Sequence, residues 1–229
     1  VTQIIRTDPQ QPSPQSLISA VAILRAGGVV AYPTETFYGL GVDAFNEEAV
    51  KKIYAIKKRD FSQPLLILIP HRDLLPLYVK DVSEDALMLI ERFWPGPLTL
   101  IFSASSHLPF ILLGEANKIA IRVSSHPIAQ ALTKGLNSPI TSTSANVSGA
   151  QSPFTSEEVS FQLGETIDLL IDGGRTPGEK PSTIIDVTFS PPRLVREGVV
   201  PFSEILTCLE STYEKNIDSK GGYGFPRPI

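Results

Sequence analysis

Cysteine is almost missing from this sequence: among 229 residues, Cys208 is the single thiol. A disulfide framework within the chain is thereby excluded, and a reducing, cytosolic setting is the simplest expectation. Histidine is nearly as scarce. His71, His107 and His126 stand far apart, with no HExxH spacing and no cysteine partner, so no metal site is expected. No apolar run approaches the roughly 18 residues of a membrane span, and the first residues lack the pattern of a secretory signal. The signatures GxxxxGK[ST], GxGxxG and GxSxG are all missing. Their absence removes the P-loop, the dinucleotide fold and the commonest serine-hydrolase reading, so any nucleotide site must be of another type. Strong charge of either sign is lacking too. A net charge of −4 argues against a dedicated nucleic-acid coat but leaves room for a local basic patch.

What is present is ample core material, 42% hydrophobic, enough for one large domain or two small ones. Apolar runs rich in Val, Ile and Leu predict strands at 28–33, 65–69, 98–102, 119–123, 139–144, 168–172, 182–188 and 193–196. Helices are expected at 14–26, 46–58, 83–92, 126–135, 155–163 and 202–210. Interleaved strands and helices define an α/β fold with a twisted, mixed β-sheet and flanking helices. Pro- and Gly-rich turns in the last third suggest some antiparallel pairing there. Composition shifts only near residue 206. Residues 1–206 therefore read as the domain, and 207–229 as a tail with a short helix and no second domain.

Polar side chains gather at strand ends. In AYPTETFYGLG, residues 31–41, an apolar run stops at Pro33, and Thr34, Glu35, Thr36 and Tyr38 follow. Ligands of open α/β sheets bind beyond the carboxyl ends of strands, and Gly39 and Gly41 permit a tight turn or a close backbone approach. A basic run, Lys51, Lys52, Lys57, Lys58 and Arg59, lies on the next helix and just beyond its end. At 100° per residue Lys57 falls on the apolar stripe of Val50, Ile53 and Tyr54, while Lys51, Lys52 and Lys58 point elsewhere. A lysine aimed at the protein body needs an anion or must reach the edge, which makes Lys57 and Arg59 candidate phosphate ligands. In IAIRV, 119–123, alternation puts Ala120 and Arg122 on the face opposite Ile119, Ile121 and Val123. There Arg122 either forms a buried ion pair or serves a ligand. PITSTSANVSG, 139–149, crowds Thr141, Ser142, Thr143, Ser144, Asn146 and Ser148 at the end of a β run, groups able to hold phosphate or ribose. PSTIID and LVREG place Ser182 and Arg196 near strand ends.

In this order, YPTETFYGLG, the Lys57-x-Arg59 pair with QPLLILI, RFWPGPLTLIF, IAIRVSSHP, STSANVSG, PSTIID and LVREG resemble the threonylcarbamoyl-AMP synthase family, whose domain is YrdC-like. The match spans roughly residues 15–200. It implies a sheet around a concave, basic cavity, and an enzyme that joins L-threonine, bicarbonate (or CO2) and ATP, with Mg2+, into L-threonylcarbamoyladenylate and pyrophosphate. Such enzymes are nucleotidyltransferases. Partner enzymes pass the threonylcarbamoyl group to an adenosine of tRNA, and direct contact with tRNA or another RNA is also possible. The resemblance assigns Lys57 and Arg59 to the ATP phosphates and to catalysis, and Ser144, Asn146, Ser152 and Arg196 to the nucleotide. To threonine it assigns Thr34, Thr36, Tyr38, Arg122, Ser142 and Ser182. It provides no metal-binding side chain.

Three positions depart from the family's common pattern. Gln63 stands where many members have Asn, Asp60 where a proline is common, and Leu68 where many carry a histidine. Two other readings are a non-catalytic RNA-binding module, with the basic run as a phosphate track, and a carbamoyl-transfer relative of the hydrogenase-maturation type. The latter domains usually sit in longer chains with zinc-finger segments, which a single cysteine cannot supply.

Overall fold

The computed structural model describes residues 1–210. Helix boundaries follow the capping chemistry. Helix α1 (Pro14–Arg25) starts at the Ser13 cap, α2 (Glu47–Lys57) at Asn46, α3 (Glu84–Phe93) at Ser83 and α5 (Ser156–Leu163) at Thr155. Each cap accepts a backbone N–H from the first helical turn, satisfying a donor that has no partner inside the helix. Helix α4 (Pro127–Leu136) opens with a proline behind the His126 cap. Both α2 and α4 end on left-handed residues, Lys58 and Asn137.

In place of the single sheet expected, the strands form two. The first has five strands in the order β1 (Gln3–Arg6), β9 (Leu169–Asp172), β2 (Val30–Tyr32), β3 (Gly39–Gly41) and β8 (Thr143–Ser144). The second has six, in the order β11 (Arg193–Arg196), β10 (Thr183–Asp186), β5 (Leu98–Ser103), β6 (Lys118–Arg122), β4 (Leu66–Leu68) and β7 (Ile140–Thr141). Both are mixed, and β10 and β11 pair antiparallel, as the turn-rich last third suggested. The run 139–144, read as one strand, is divided. Thr141 pairs with β4 and Ser144 with β3, so the chain changes sheets at Ser142. Two short polar strands cannot be told from one by alternation alone.

β1 and β3 were not foreseen. Gly39 and Gly41 were read as permitting a tight turn or a close backbone approach, and 39–41 is a strand, the antiparallel partner of β2. The glycines serve packing instead of turning. A Cβ on Gly41 would stand 2.5 Å from the Thr141 carbonyl oxygen, 2.6 Å from Ile140 Cγ2 and 2.9 Å from the Tyr32 ring. Gly41→Ala is therefore expected to lower unfolding free energy by about 2–3 kcal/mol, measurable by denaturant titration.

Helices α1 and α4 cover one face of the five-stranded sheet through Leu24, Leu132 and Leu136, which pack on Val30, Tyr32 and Ile171. The larger core joins α2, α3 and both sheets through Ile53, Tyr54, Leu40, Ile67, Leu89 and Leu100. Residues 202–210 are helical and run across the expected boundary at 206, and Ile205 and Leu209 are buried in this core. The remainder of the expected tail, 211–229, lies outside the described residues. No helix among the described residues is long and apolar enough to cross a membrane.

Candidate active site

The angle between the two sheets is open, and it forms a cavity of about 490 Å³. Its floor is the face of the six-stranded sheet that carries Leu66, Ala120, Ile101 and Ile184. Leu66, Ala120 and Ile101 stand side by side in register across β4, β6 and β5. The same alternation that sends Ile119 and Ile121 to the core turns Ala120 and Arg122 to the hollow.

Every residue that the resemblance assigned to a substrate reaches this one cavity, whereas Thr141 and Glu35, from the same polar clusters, do not line it. Thr34, Thr36 and Tyr38 come from the β2–β3 connection. Lys57 and Arg59 come from the end of α2, and Arg122 from β6. Ser142, Ser144, Asn146 and Ser152 arrive with the sheet-crossing segment, and Ser182 and Arg196 with β10 and β11. Among the described residues the lining holds four cationic side chains, Lys57, Arg59, Arg122 and Arg196, and no carboxylate. Such a surface favours a polyanion.

Several of these groups already have partners. The helical wheel put Lys57 toward the protein body, and it is 3% exposed. Its Nζ donates to Ser144 O at 2.6 Å, Asn146 O at 2.8 Å and Asn146 Oδ1 at 3.0 Å. All three ammonium protons thus hold the 144–146 turn, a role spacing did not reveal. Burial, followed by the nearby charge of Arg59, pulls the Lys57 pKa down to about 8. Asn146 is braced further, accepting from Ser144 Oγ at 2.5 Å and donating to Ala150 O at 2.6 Å. Lys51 pairs with Glu48 on the surface, and exposed Lys52 donates to Gly27 O at the end of α1.

Arg59 donates to Pro64 O at 2.7 Å, while its Nε is buried without a partner. Thr34 Oγ1 donates to Phe37 O at 2.7 Å and accepts Thr36 N–H at 3.1 Å, so it shapes its own turn as well as lining the hollow. Tyr38 donates to Gly174 O at 2.7 Å, and burial raises its phenol pKa beyond the ordinary range. Ser182 contacts Thr99 Oγ1 at 2.9 Å, and its carbonyl accepts from Arg196 Nη2 at 2.8 Å. Arg122 lines the hollow and also forms an ion pair with Glu35, the buried pair that was one of its two readings.

Sequence reasoning passed over Phe37, Leu66, Ile101, Ile184 and Val195, the apolar lining. Alternation within β4 and β10 could have found Leu66 and Ile184. Ile101 and Val195 carried no signal until the strands were paired. Leu68, at the position where many family members have histidine, is fully buried against α4 in the smaller core. Among the described residues no group of three or more His, Cys, Asp or Glu side chains could hold a metal ion.

A hollow with cationic and hydroxyl-bearing walls and an apolar floor thus lies between the two mixed sheets of an α/β protein. The chain belongs to the Sua5/YciO/YrdC family, described as "Telomere recombination", whose sequence model matches residues 22–198. It is 39% identical over 206 residues to a threonylcarbamoyl-AMP synthase of Pyrococcus abyssi (strain GE5 / Orsay), a match covering 87% of this chain and 61% of that protein. A threonylcarbamoyl-AMP synthase of Bacillus subtilis (strain 168) is 38% identical over 201 residues, 87% of this chain and 58% of that one. The crystal structure of P. abyssi Sua5 complexed with L-threonine superposes with a TM-score of 0.88 at 39% identity, covering 91% of this chain and 61% of the other. The chain thus spans about three fifths of the length of these relatives.

Proposed function

We propose that this chain makes L-threonylcarbamoyladenylate and pyrophosphate from L-threonine, bicarbonate or CO2, and ATP. One observation carries the reading: residues scattered from Thr34 to Arg196 line one hollow that, among the described residues, holds four cations and no carboxylate. A relative with 39% identity has been crystallised with L-threonine, which supports the amino-acid half of the assignment.

In this reading the threonine amine captures CO2 as a carbamate and its proton leaves to solvent. A carbamate oxygen then attacks the α-phosphorus of ATP, the bond to the bridging oxygen breaks, and pyrophosphate departs. The nucleophile is already anionic, so the protein supplies no covalent intermediate. Its part is positioning and charge stabilisation. Arg59 meets the phosphates, Lys57 adds its charge from behind the 144–146 turn that it holds, and Arg196 with Ser152 meets the nucleotide. Arg122, Thr34, Thr36, Tyr38, Ser142 and Ser182 hold the carboxylated threonine. The lining offers Mg2+ no carboxylate, so an ion accompanying ATP would be carried by phosphate oxygens and water. The product is consumed by enzymes that transfer threonylcarbamoyl to a tRNA adenosine, in the cytoplasm.

The test is direct. Pure protein with ATP, Mg2+, bicarbonate and L-threonine should release pyrophosphate only when all are present, with a matching adenylate by mass spectrometry. Salt-sensitive RNA binding without any ATP turnover would instead favour the RNA-binding module.

A further inference from the structure

Glu35 lies beside the cavity without lining it, and the proposed chemistry does not use it. Its side chain is 13% exposed, and Oε1 sits 3.3 Å from Arg122 Nη1. The other oxygen, Oε2, accepts the hydroxyl proton of Ser124. Ser124 is itself buried and fixed, since its Oγ accepts the backbone N–H of His126, the residue that caps α4. The carboxylate is therefore tethered on one side and free to act on the other.

Arg122 is the group it acts on. This guanidinium is almost fully buried, yet the hydrogen bond it makes among the described residues is a long one, Nη1 to Thr36 Oγ1 at 3.5 Å. Its Nε–H has no partner. A buried donor without an acceptor is costly unless a ligand supplies one. A guanidinium with so few contacts inside the protein also needs something to fix its plane, because a fork that rotates presents its donors in the wrong directions.

We propose that Glu35 is a positioning residue: anchored by Ser124, it holds the Arg122 guanidinium with Nε–H toward the hollow and so sets affinity for the amino-acid substrate, leaving nucleotide affinity alone. The substrate half of this statement rests on the reading that Arg122 receives the carboxylated threonine. A carboxylate acting only as a nearby negative charge would do the opposite. It would oppose an anionic ligand, and its neutralisation would tighten binding.

The experiment compares wild type with Glu35→Gln, which is nearly isosteric and still offers Ser124 an acceptor, and with Ser124→Ala. Calorimetric titration should show the Kd for L-threonine rising about tenfold or more in Glu35→Gln, the scale on which supporting contacts matter around a ligand-binding group. The Kd for ATP should stay within about twofold, since this carboxylate does not line the cavity. Ser124→Ala should give a smaller rise, and the double variant should be no worse than Glu35→Gln, because both act through one chain of contacts. A second readout needs no ligand: the Arg122 Nε–H resonance, identified by its loss in Arg122→Lys, should shift in Glu35→Gln. Threonine binding that is unchanged or tighter, equal losses for both ligands, or an unmoved Arg122 resonance would overturn the proposal. If wild type binds no L-threonine but the resonance still shifts, the holding of Arg122 stands and the substrate reading falls.

Discussion

Lys57→Met is expected to lower kcat/KM by about 10²–10³-fold, the usual loss when a charge-stabilising donor is removed from a water-poor site. Two consequences add. In the proposed reaction a positive charge near the phosphates disappears, and the 144–146 turn loses the donor that three of its acceptors share. Methionine preserves the apolar stem, so the effect is not one of packing. The pH profile separates charge from structure. With its pKa pulled to about 8, the wild-type ammonium goes from +1 to neutral as pH rises through that value. The neutral amine has two protons for three acceptors and no charge for the phosphates, so activity falls on the alkaline side. The substrate amine must lose a proton before it captures CO2, and it contributes a rise with pH. It cannot be the source of the falling limb. Lys57→Arg, permanently charged, should be slow throughout but lack that limb. Steady-state pyrophosphate release from pH 6.5 to 9.5 checks both outcomes. A Lys57→Met protein with near wild-type turnover would assign the phosphates to some other part of the cavity.

Arg122→Met should have the second large effect, and on two quantities at once. Removing the guanidinium leaves Glu35, whose side chain is 13% exposed, without its counter-charge. Losing one partner of a buried pair costs about 3–5 kcal/mol, so unfolding free energy should drop toward that range. Threonine-dependent kcat/KM should fall by about 10²–10³-fold, as for other lost charge-stabilising groups. The double variant Glu35→Gln/Arg122→Met distinguishes the two losses. With the orphaned carboxylate neutralised, denaturant titration should recover much of the stability while pyrophosphate release stays low. Equal recovery of both would mean that Arg122 matters to the fold alone.

The chemistry of the hollow was legible because residue type and local period carry it. Lys57 sits one heptad after Val50 on the buried stripe of α2, and a 3.6-residue period is a property of the segment itself. Arg122 alternates against Ile119, Ile121 and Val123 in the same self-contained way. The Asn46 cap of α2 is local in the same sense, because a cap bonds within its own first turn.

Two things were not legible. Strand pairing is non-local, and short strands offer too few residues for a pattern. Gly-Leu-Gly was therefore not read as the strand it is, and 139–144 read as one strand although it belongs to two sheets. The partners of the nominated side chains were equally hidden. That Lys57 spends its protons on Ser144 and Asn146, and that Glu35 lies against Arg122, depends on segments about 87 residues apart in sequence meeting in space.

The sequence by itself determined the kinds of groups this protein offers and the faces on which its helices and strands present them. The tertiary structure alone decided that they face one another across a gap between two sheets, and which of them are held in place by neighbours before any ligand arrives. The reason is physical: side-chain chemistry and periodicity are local properties of a chain, whereas distance, burial and hydrogen-bond partnership exist only once remote segments have packed.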